Sequence, residues 1–344
     1  MGAKSKQKAV RTPFLVAMGL ALVGFGAISG VAFDVATRPA PQPKSAPVNT
    51  HASRAAPMPH VVAPAGETTP SQGSILEAEA RRAWAPPPQE NTRDTPSEAV
   101  PARPLLAFAV PAAADPARPA LAIVIDDMGL DHARALKAIA LHGPLTVSLM
   151  TYADNLPDLV KLAHAGGHEV MAHLPMEPVN PKENPGRGAL FARMDDGAIR
   201  KTIADDLDGW SGYVGINNHM GSKFTADRAR MGVVMEELKA RGLMWLDSRT
   251  INDTAGPGAA RALGVPFITR DIFLDNVETP DAIRVQLELA KATAKNRGTA
   301  VAIGHPHDAT IAALKEWLPT LTEAGVQLVP ATEILKRRSE KTPG

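Results

Sequence analysis

The sequence predicts an α/β fold: an irregular (β/α) barrel of about seven or eight mostly parallel strands. Three observations carry this. Six apolar, strand-like runs recur from residue 121 onward, segments with helical spacing separate them, and each run is followed at once by a cluster holding an acid, a histidine or an arginine. The runs are Leu121–Ile125 before Asp126-Asp127, Glu169–Ala172 before His173, and Tyr213–Ile216 before Asn217-Asn218-His219. Then come Met244–Leu246 before Asp247, Phe267–Thr269 before Arg270-Asp271, and Val301–Ile303 before Gly304-His305-Pro306-His307. Strands joined by helices run parallel, so their C-terminal ends point the same way. In barrels and open α/β sheets alike, that edge is where ligands bind and chemistry happens. An open doubly wound sheet is the structural alternative.

Leu121–Ile125 is continuously aliphatic, as expected of a strand buried on both faces. Gly129-Leu130-Asp131 opens a helix to about Leu141. Leu145–Leu149 is the next strand and Asn155–Ala165 the next helix, closed by Gly166-Gly167. His168–Ala172, Asp195–Trp210, Tyr213–Ile216, Ala226–Arg241 and Met244–Leu246 continue the alternation. A short helix near Gly258–Leu263 leads to Phe267–Thr269, and the long helix Pro280–Asn296 leads to Thr299–Ile303. Asp308–Glu323 and Gln327–Val329 complete a domain over residues 119–336, with a polar tail at 337–344.

The rest of the chain reads differently. Lys4, Lys6, Lys8 and Arg11 precede an uncharged run, Thr12–Phe33, that as a helix would extend ~33 Å at ~1.5 Å per residue. A basic N-terminal flank keeps that end in the cytoplasm and sends the remainder outside, so residues 1–33 are expected to anchor the chain in a membrane. A cleavable signal peptide with small residues near Gly30–Ala32 is the alternative, which would make the protein secreted. Residues 34–118 hold 16 of the 31 prolines with no sustained apolar period, the composition of a disordered linker. Coil scaling gives it a span of ~50 Å, enough to hold a domain away from a bilayer on the periplasmic side. A net charge of +1 gives no support for a nucleic-acid partner, and the absence of cysteine excludes disulfides and thiolate metal sites.

Asp126 and Asp127 end the first strand. The turn into Met128-Gly129 can bring both carboxylates to the rim, one for a metal and one as general base; the alternative is that one of them merely caps the helix beginning near Leu130, a place for which Asp131 competes. In Gly167–Pro178, period-two alternation puts His168 and His173 on opposite faces, leaving only His173 at the C-terminal end. Glu177 sits four residues later beyond Pro175, either as a loop-borne ligand or as an acceptor orienting an imidazole. His219, before Met220-Gly221, completes an Asp127/His173/His219 set from three strand ends. Three protein ligands with an open position are what catalytic zinc uses. Arg249 and Arg270 bring positive charge to the same rim, either to orient Asp126 and stabilise an oxyanion or as members of a salt-bridge network with Asp247 and Asp271. His305 is the candidate general acid, and His307 or Asp308 caps the helix that follows.

Taken in order, Ile125-Asp126-Asp127, Gly167–His173, Asn217–Ser222, Asp247–Thr250 and Gly304–His307 resemble the divergent polysaccharide deacetylase family, related to NodB-type carbohydrate esterases. The resemblance covers about residues 119–336 and implies an irregular barrel, a divalent metal and removal of acetyl groups from N-acetylated sugars. It implies base and ligand roles for Asp126 and Asp127, maps a His-x-x-x-His motif onto His173 and Glu177, and maps the late histidine onto His305. Glu177 thus replaces the second histidine, and His219 supplies an imidazole where an arginine-proline motif is expected. The expectation is a zinc-dependent deacetylase acting on an envelope glycan. The alternatives are an inert barrel that binds glycan or protein, and a hydrolase for another amide or an ester.

Overall fold

The computed structural model of the protein describes residues 103–340. The expected membrane segment Thr12–Phe33 and most of the expected linker lie outside the described residues. Among the described residues, no helix is long and apolar enough to cross a membrane.

Nine strands form one parallel sheet: β1 (Ala120–Met128), β2 (Thr146–Met150), β3 (Glu169–Met176), β4 (Gly215–Met220), β5 (Met244–Asp247), β6 (Phe267–Thr269), β7 (Ile272–Phe273), β8 (Thr299–Gly304) and β9 (Gln327–Leu328). Their order is β6-β5-β4-β3-β2-β1-β8-β7, with β9 paired to the start of β1 beside β2. The two edge strands, β6 and β7, are consecutive in the chain. The Arg270 N–H donates to Asp247 on the β5 side and the Asp271 N–H to Val301 on the β8 side. One run of polypeptide therefore closes the ring by pairing first with one neighbour and then with the other. That is the irregularity of the barrel.

Inside the ring, alternate residues of each strand point to the axis, and each inward row turns from apolar to polar at its C-terminal end. On β1 the row is Ala120, Ala122, Val124 and then Asp126; Ile303 precedes His305 on β8 and Met171 precedes His173 on β3. The outward rows (Leu121, Ile123 and Ile125 on β1; Val170, Ala172 and Leu174 on β3) pack beneath the helices. Burial of both rows explains why the strands read as unbroken aliphatic runs.

The strands at the site run further than their apolar runs suggest. β1 continues through Asp126-Asp127 with a bulge against β2: Ile125 pairs with Val147 but Met128 with Leu149, three residues of β1 opposite two of β2. Asp127 adopts a left-handed backbone, φ 56°. Adjacent strand residues face opposite ways, and the bulge re-aims one of them. Both carboxylates reach the rim for this reason.

Helices α2 (His132–Ile139), α3 (Leu156–Ala165), α4 (Asp196–Leu207), α5 (Arg228–Arg241), α6 (Gly256–Leu263), α7 (Pro280–Arg297) and α8 (Asp308–Trp317) cover the sheet. Two boundaries differ from expectation. Residues 103–118, read as linker, carry the short helix α1 (Pro104–Ala107) and pack Leu105, Phe108, Ala109 and Ala114 against the N-terminal end of the barrel interior. Residues 331–340 form α9 (Ala331–Glu340), so residues 337–340 of the expected tail are helical. Arg337 is buried there because its guanidinium donates to the carbonyls of Arg118 and Asp115, and Arg338 reaches Asp271. Charge alone made that segment look like a solvated tail.

Candidate active site

The open C-terminal mouth of the barrel is a cavity of about 430 Å³ whose lining includes Asp126, Asp127, His173, His219, Arg249, Arg270 and His305. Seven strand ends, those of β1 and of β3 to β8, converge on it. Among the described residues four non-glycines have a left-handed backbone, and three of them, Asp127, Met220 and Arg249, line this cavity. Each such residue is disfavoured by roughly 1–2 kcal/mol, and strain of this kind persists where the surrounding structure imposes it.

Asp127 Oδ1 lies 3.2 Å from His173 Nε2 and 2.7 Å from His219 Nδ1. The two rings meet edge-on, their centroids 5.2 Å apart. Oδ1 is buried and accepts no hydrogen bond. A buried carboxylate oxygen without a donor, facing two imidazole nitrogens, fits a divalent cation: the three ligand atoms lie within 4.8 Å of one another and make an N₂O donor set. Burial opposes ionisation of Asp127, but the two imidazoles outweigh it and hold the carboxyl far below its usual range.

Asn217 organises the ring that matters most. Its Oδ1 accepts from Ser148 Oγ (2.7 Å) and pairs with His173 Nδ1 (2.8 Å), while its Nδ2 donates to Asp126 Oδ1 (2.8 Å). An ionised carboxylate only accepts, which fixes the amide with NH₂ toward Asp126 and its oxygen toward the imidazole. His173 therefore donates from Nδ1 to Asn217 and turns Nε2 toward the carboxylates; burial disfavours its charged form, but the charges of Asp126 and Asp127 outweigh that and raise the imidazole above its ordinary value. Asp126 Oδ2 lies 3.7 Å from that nitrogen. Burial raises the Asp126 carboxyl above its ordinary value, against the opposing pull of His173 and His305.

His305 stands across from this group, its Nε2 4.0 Å from Asp127 Oδ2. Its Nδ1 pairs with Asp275 Oδ1 at 3.0 Å, and its backbone N–H and the Thr310 hydroxyl donate to Asp275 Oδ2 at 2.6 and 2.8 Å. Burial would depress the imidazole, but Asp275 and then Asp127 and Asp126 raise it to about 9. Gly304 permits this approach, since a Cβ there would lie 3.2 Å from Asp275 Oδ2.

The chain matches the divergent polysaccharide deacetylase family over residues 123–335. The chain belongs to that family. It is 36% identical over 213 residues to the uncharacterized protein YibQ of Escherichia coli K12, covering 62% of this chain and 66% of that one, just under two thirds of the relative's length. An uncharacterized protein of Haemophilus influenzae is 33% identical over 207 residues, covering 60% of this chain and 73% of its own. Among solved structures, the uncharacterized protein ATU2773 of Agrobacterium tumefaciens C58 superposes with a TM-score of 0.65 and 26% identity, covering 67% of this chain and 95% of that one.

In this divergent deacetylase domain the remaining residues take distinct places. Glu177, where the resemblance puts a second histidine, lies outside the cavity: it pairs with Lys223 (2.7 Å) and accepts from the Ala192 N–H (2.8 Å). His219, not Glu177, completes the donor set. Neither arginine orients Asp126 by a hydrogen bond; Asn217 does that. The Arg270 guanidinium donates to the carbonyls of Ser248 (2.6 Å) and Arg249 (2.8 Å) and packs over Phe273. Asp247 accepts from the Arg249 N–H and the Thr254 hydroxyl, and Asp271 pairs with Arg297 and Arg338, so the expected ion-pair network does not form between the two arginines and these acids. Asp275, the partner of His305, is the candidate site residue that sequence reading missed. Its signal was present: an acid directly after the apolar run Ile272–Leu274, the same punctuation as at the other strands.

Proposed function

We propose that this protein is a metal-dependent deacetylase that hydrolyses N-acetyl groups of an envelope polysaccharide, with zinc as the ion. The observation carrying the proposal is the buried Asp127 oxygen, without a hydrogen bond, between two imidazoles and flanked by a raised carboxyl and a protonated histidine. Asp127, His173 and His219 hold the ion. When bound, a divalent ion supplies Lewis-acid polarisation of the acetyl carbonyl and makes water acidic enough to be deprotonated near neutral pH.

The chain's own residues do the rest. Asp126, fixed by Asn217, takes a proton from the water that adds to the acetyl carbon. His305, protonated on both nitrogens below about pH 9 and fixed through Nδ1 by Asp275, gives its Nε2 proton to the amide nitrogen as the C–N bond breaks. Acetate and a free amine leave. The buried, apolar lower interior keeps bulk water from the underside of the site. The basic flank and the uncharged run Thr12–Phe33 support an extracytoplasmic location, tethered to the membrane.

The test is acetate release from N-acetylated oligosaccharides by zinc-loaded protein, together with metal analysis. Release that is lost in a folded Asp127→Ala variant is expected. No metal uptake under any loading would instead favour an inert binding barrel, the reading suggested by glutamate at position 177.

A further inference from the structure

We propose that the cavity selects a glycan bearing an anionic group next to the acetamide, and that Arg249 is the residue that reads it. This rests on the deacetylase reading for the identity of the acetamide, but its own basis is the arrangement of charge at the mouth.

Arg249 is exposed, lines the cavity, and sits at φ 49°, where a side-chain-bearing residue is strained. Glycine or asparagine would occupy that backbone more readily, so the strained position is held by an arginine whose side chain faces the cavity. Among the described residues, no carboxylate lies within ion-pair distance of either Arg249 or Arg270, and of the two guanidiniums it is that of Arg270 that is bonded to backbone carbonyls.

The strongest neighbouring charge for Arg270 is repulsive. Burial and then the charge of Arg249 lower its affinity for a proton, ahead of the opposing acids. Two arginines lining one cavity, the guanidinium of one bonded to the backbone carbonyl of the other, are relieved by an anion that reaches both. Asp126 and Asp127 do not fill that role: Asp126 is held by Asn217, Asp127 faces His173 and His219, and neither lies within ion-pair distance of the two arginines. Arg270 is pinned by two carbonyls and is the fixed element; Arg249, at the exposed edge, is the one free to engage a substrate. Its fork suits carboxylate or phosphate, and the substrate chemistry is the same for both.

The experiment uses three matched oligomers of an N-acetylated amino sugar: neutral, carboxylated through an ether-linked acid, and phosphorylated. Binding is measured by calorimetry to the full-length, zinc-loaded Asp126→Asn protein, which does not consume them. An anionic oligomer should bind on the order of tenfold more tightly than the neutral one, the effect of about one charge-assisted hydrogen bond. The preference should fall to within about threefold in Asp126→Asn/Arg249→Gln, be retained in part in Asp126→Asn/Arg249→Lys, and weaken as salt is raised. Whichever anion binds more tightly identifies the group. Equal binding of charged and neutral oligomers, or a preference unchanged by Arg249→Gln, would overturn the proposal. Acetate release by the protein with Asp126 intact is read separately: Arg249-dependent anion binding with no release from any oligomer would sink the deacetylase reading and leave the anion subsite standing.

Discussion

The two ends of the barrel each bury a carboxylate beside a histidine, His168 just before β3 and His173 on it, and they treat them in opposite ways. At the N-terminal end, Glu169 is fully buried, yet its oxygens are taken by the Thr146 and Thr332 hydroxyls and the Thr332 N–H. Nearby, both nitrogens of His168 are bonded to backbone, accepting from the Leu145 N–H and donating to the Ile139 carbonyl. At the C-terminal end, Asp127 Oδ1 has no hydrogen bond, and His173 uses one nitrogen on Asn217 and leaves the other facing carboxylates. A polar group whose bonds are complete within the protein holds the fold together. One left incomplete is available to a ligand.

Five substitutions probe this contrast, beginning with the largest effect. His305→Ala should lower acetate release by ~10²–10⁴-fold with binding largely kept, the usual contribution of a proton donor. If release is unchanged, His305 is not the acid. Asn217→Ala should weaken zinc affinity ~10–100-fold by freeing the His173 tautomer. It should also destabilise the fold by ~1–3 kcal/mol, because Ser148 and Asp126 lose a buried partner. Zinc titration and thermal melts read the two effects independently.

Asp275→Asn acts on pH dependence. His305 is protonated below about 9, so activity should fall as pH rises through that value. Without Asp275 the basic limb should move down toward an ordinary imidazole, ~6.5. A limb that stays put would show that Asp275 does not set the proton on His305.

The closed end supplies the control. Burial raises the Glu169 carboxyl to about 7, against the hydrogen bonds from Thr332, so the folded state binds a proton more readily than the unfolded chain. Its contribution to stability is complete at low pH and is lost as pH rises from the unfolded value toward 7. The loss is on the order of 3 kcal/mol. Glu169→Gln should flatten the stability profile between pH 5 and 8 and leave zinc binding alone. The smallest effect belongs to Glu177→Ala: its exposed pairing with Lys223 is a surface contact of ~0–1 kcal/mol, and zinc affinity should not change. A large loss of zinc there would bring Glu177 into the ligand set.

Much of this was legible in the sequence, because hydrophobic period and punctuation are local. The inward position of His173 against the outward His168, and the convergence of Asp127, His173 and His219, follow from parallel strands ending at one edge. The left-handed turn at Asp127 was not legible: aspartate carries no unique signal for it, and the bulge arises from pairing with β2. Nor were the pairings of Asn217 with Asp126 and of Asp275 with His305, which join residues 91 and 30 positions apart. Asp275 carried the same punctuation as the other acids, but it follows a strand only two residues long and close behind Arg270-Asp271, so it was passed over. Arg337 and Arg338 misled for the opposite reason, since charge in sequence does not reveal that a carbonyl or an acid waits at the packed position.

X-ray absorption on zinc-loaded, full-length protein tests the central claim most directly. One ion per chain is expected, bound by two imidazole nitrogens and a carboxylate oxygen, with that shell lost in Asp127→Ala. An ion whose shell is the same in the variant, or no ion at any loading, would contradict the account.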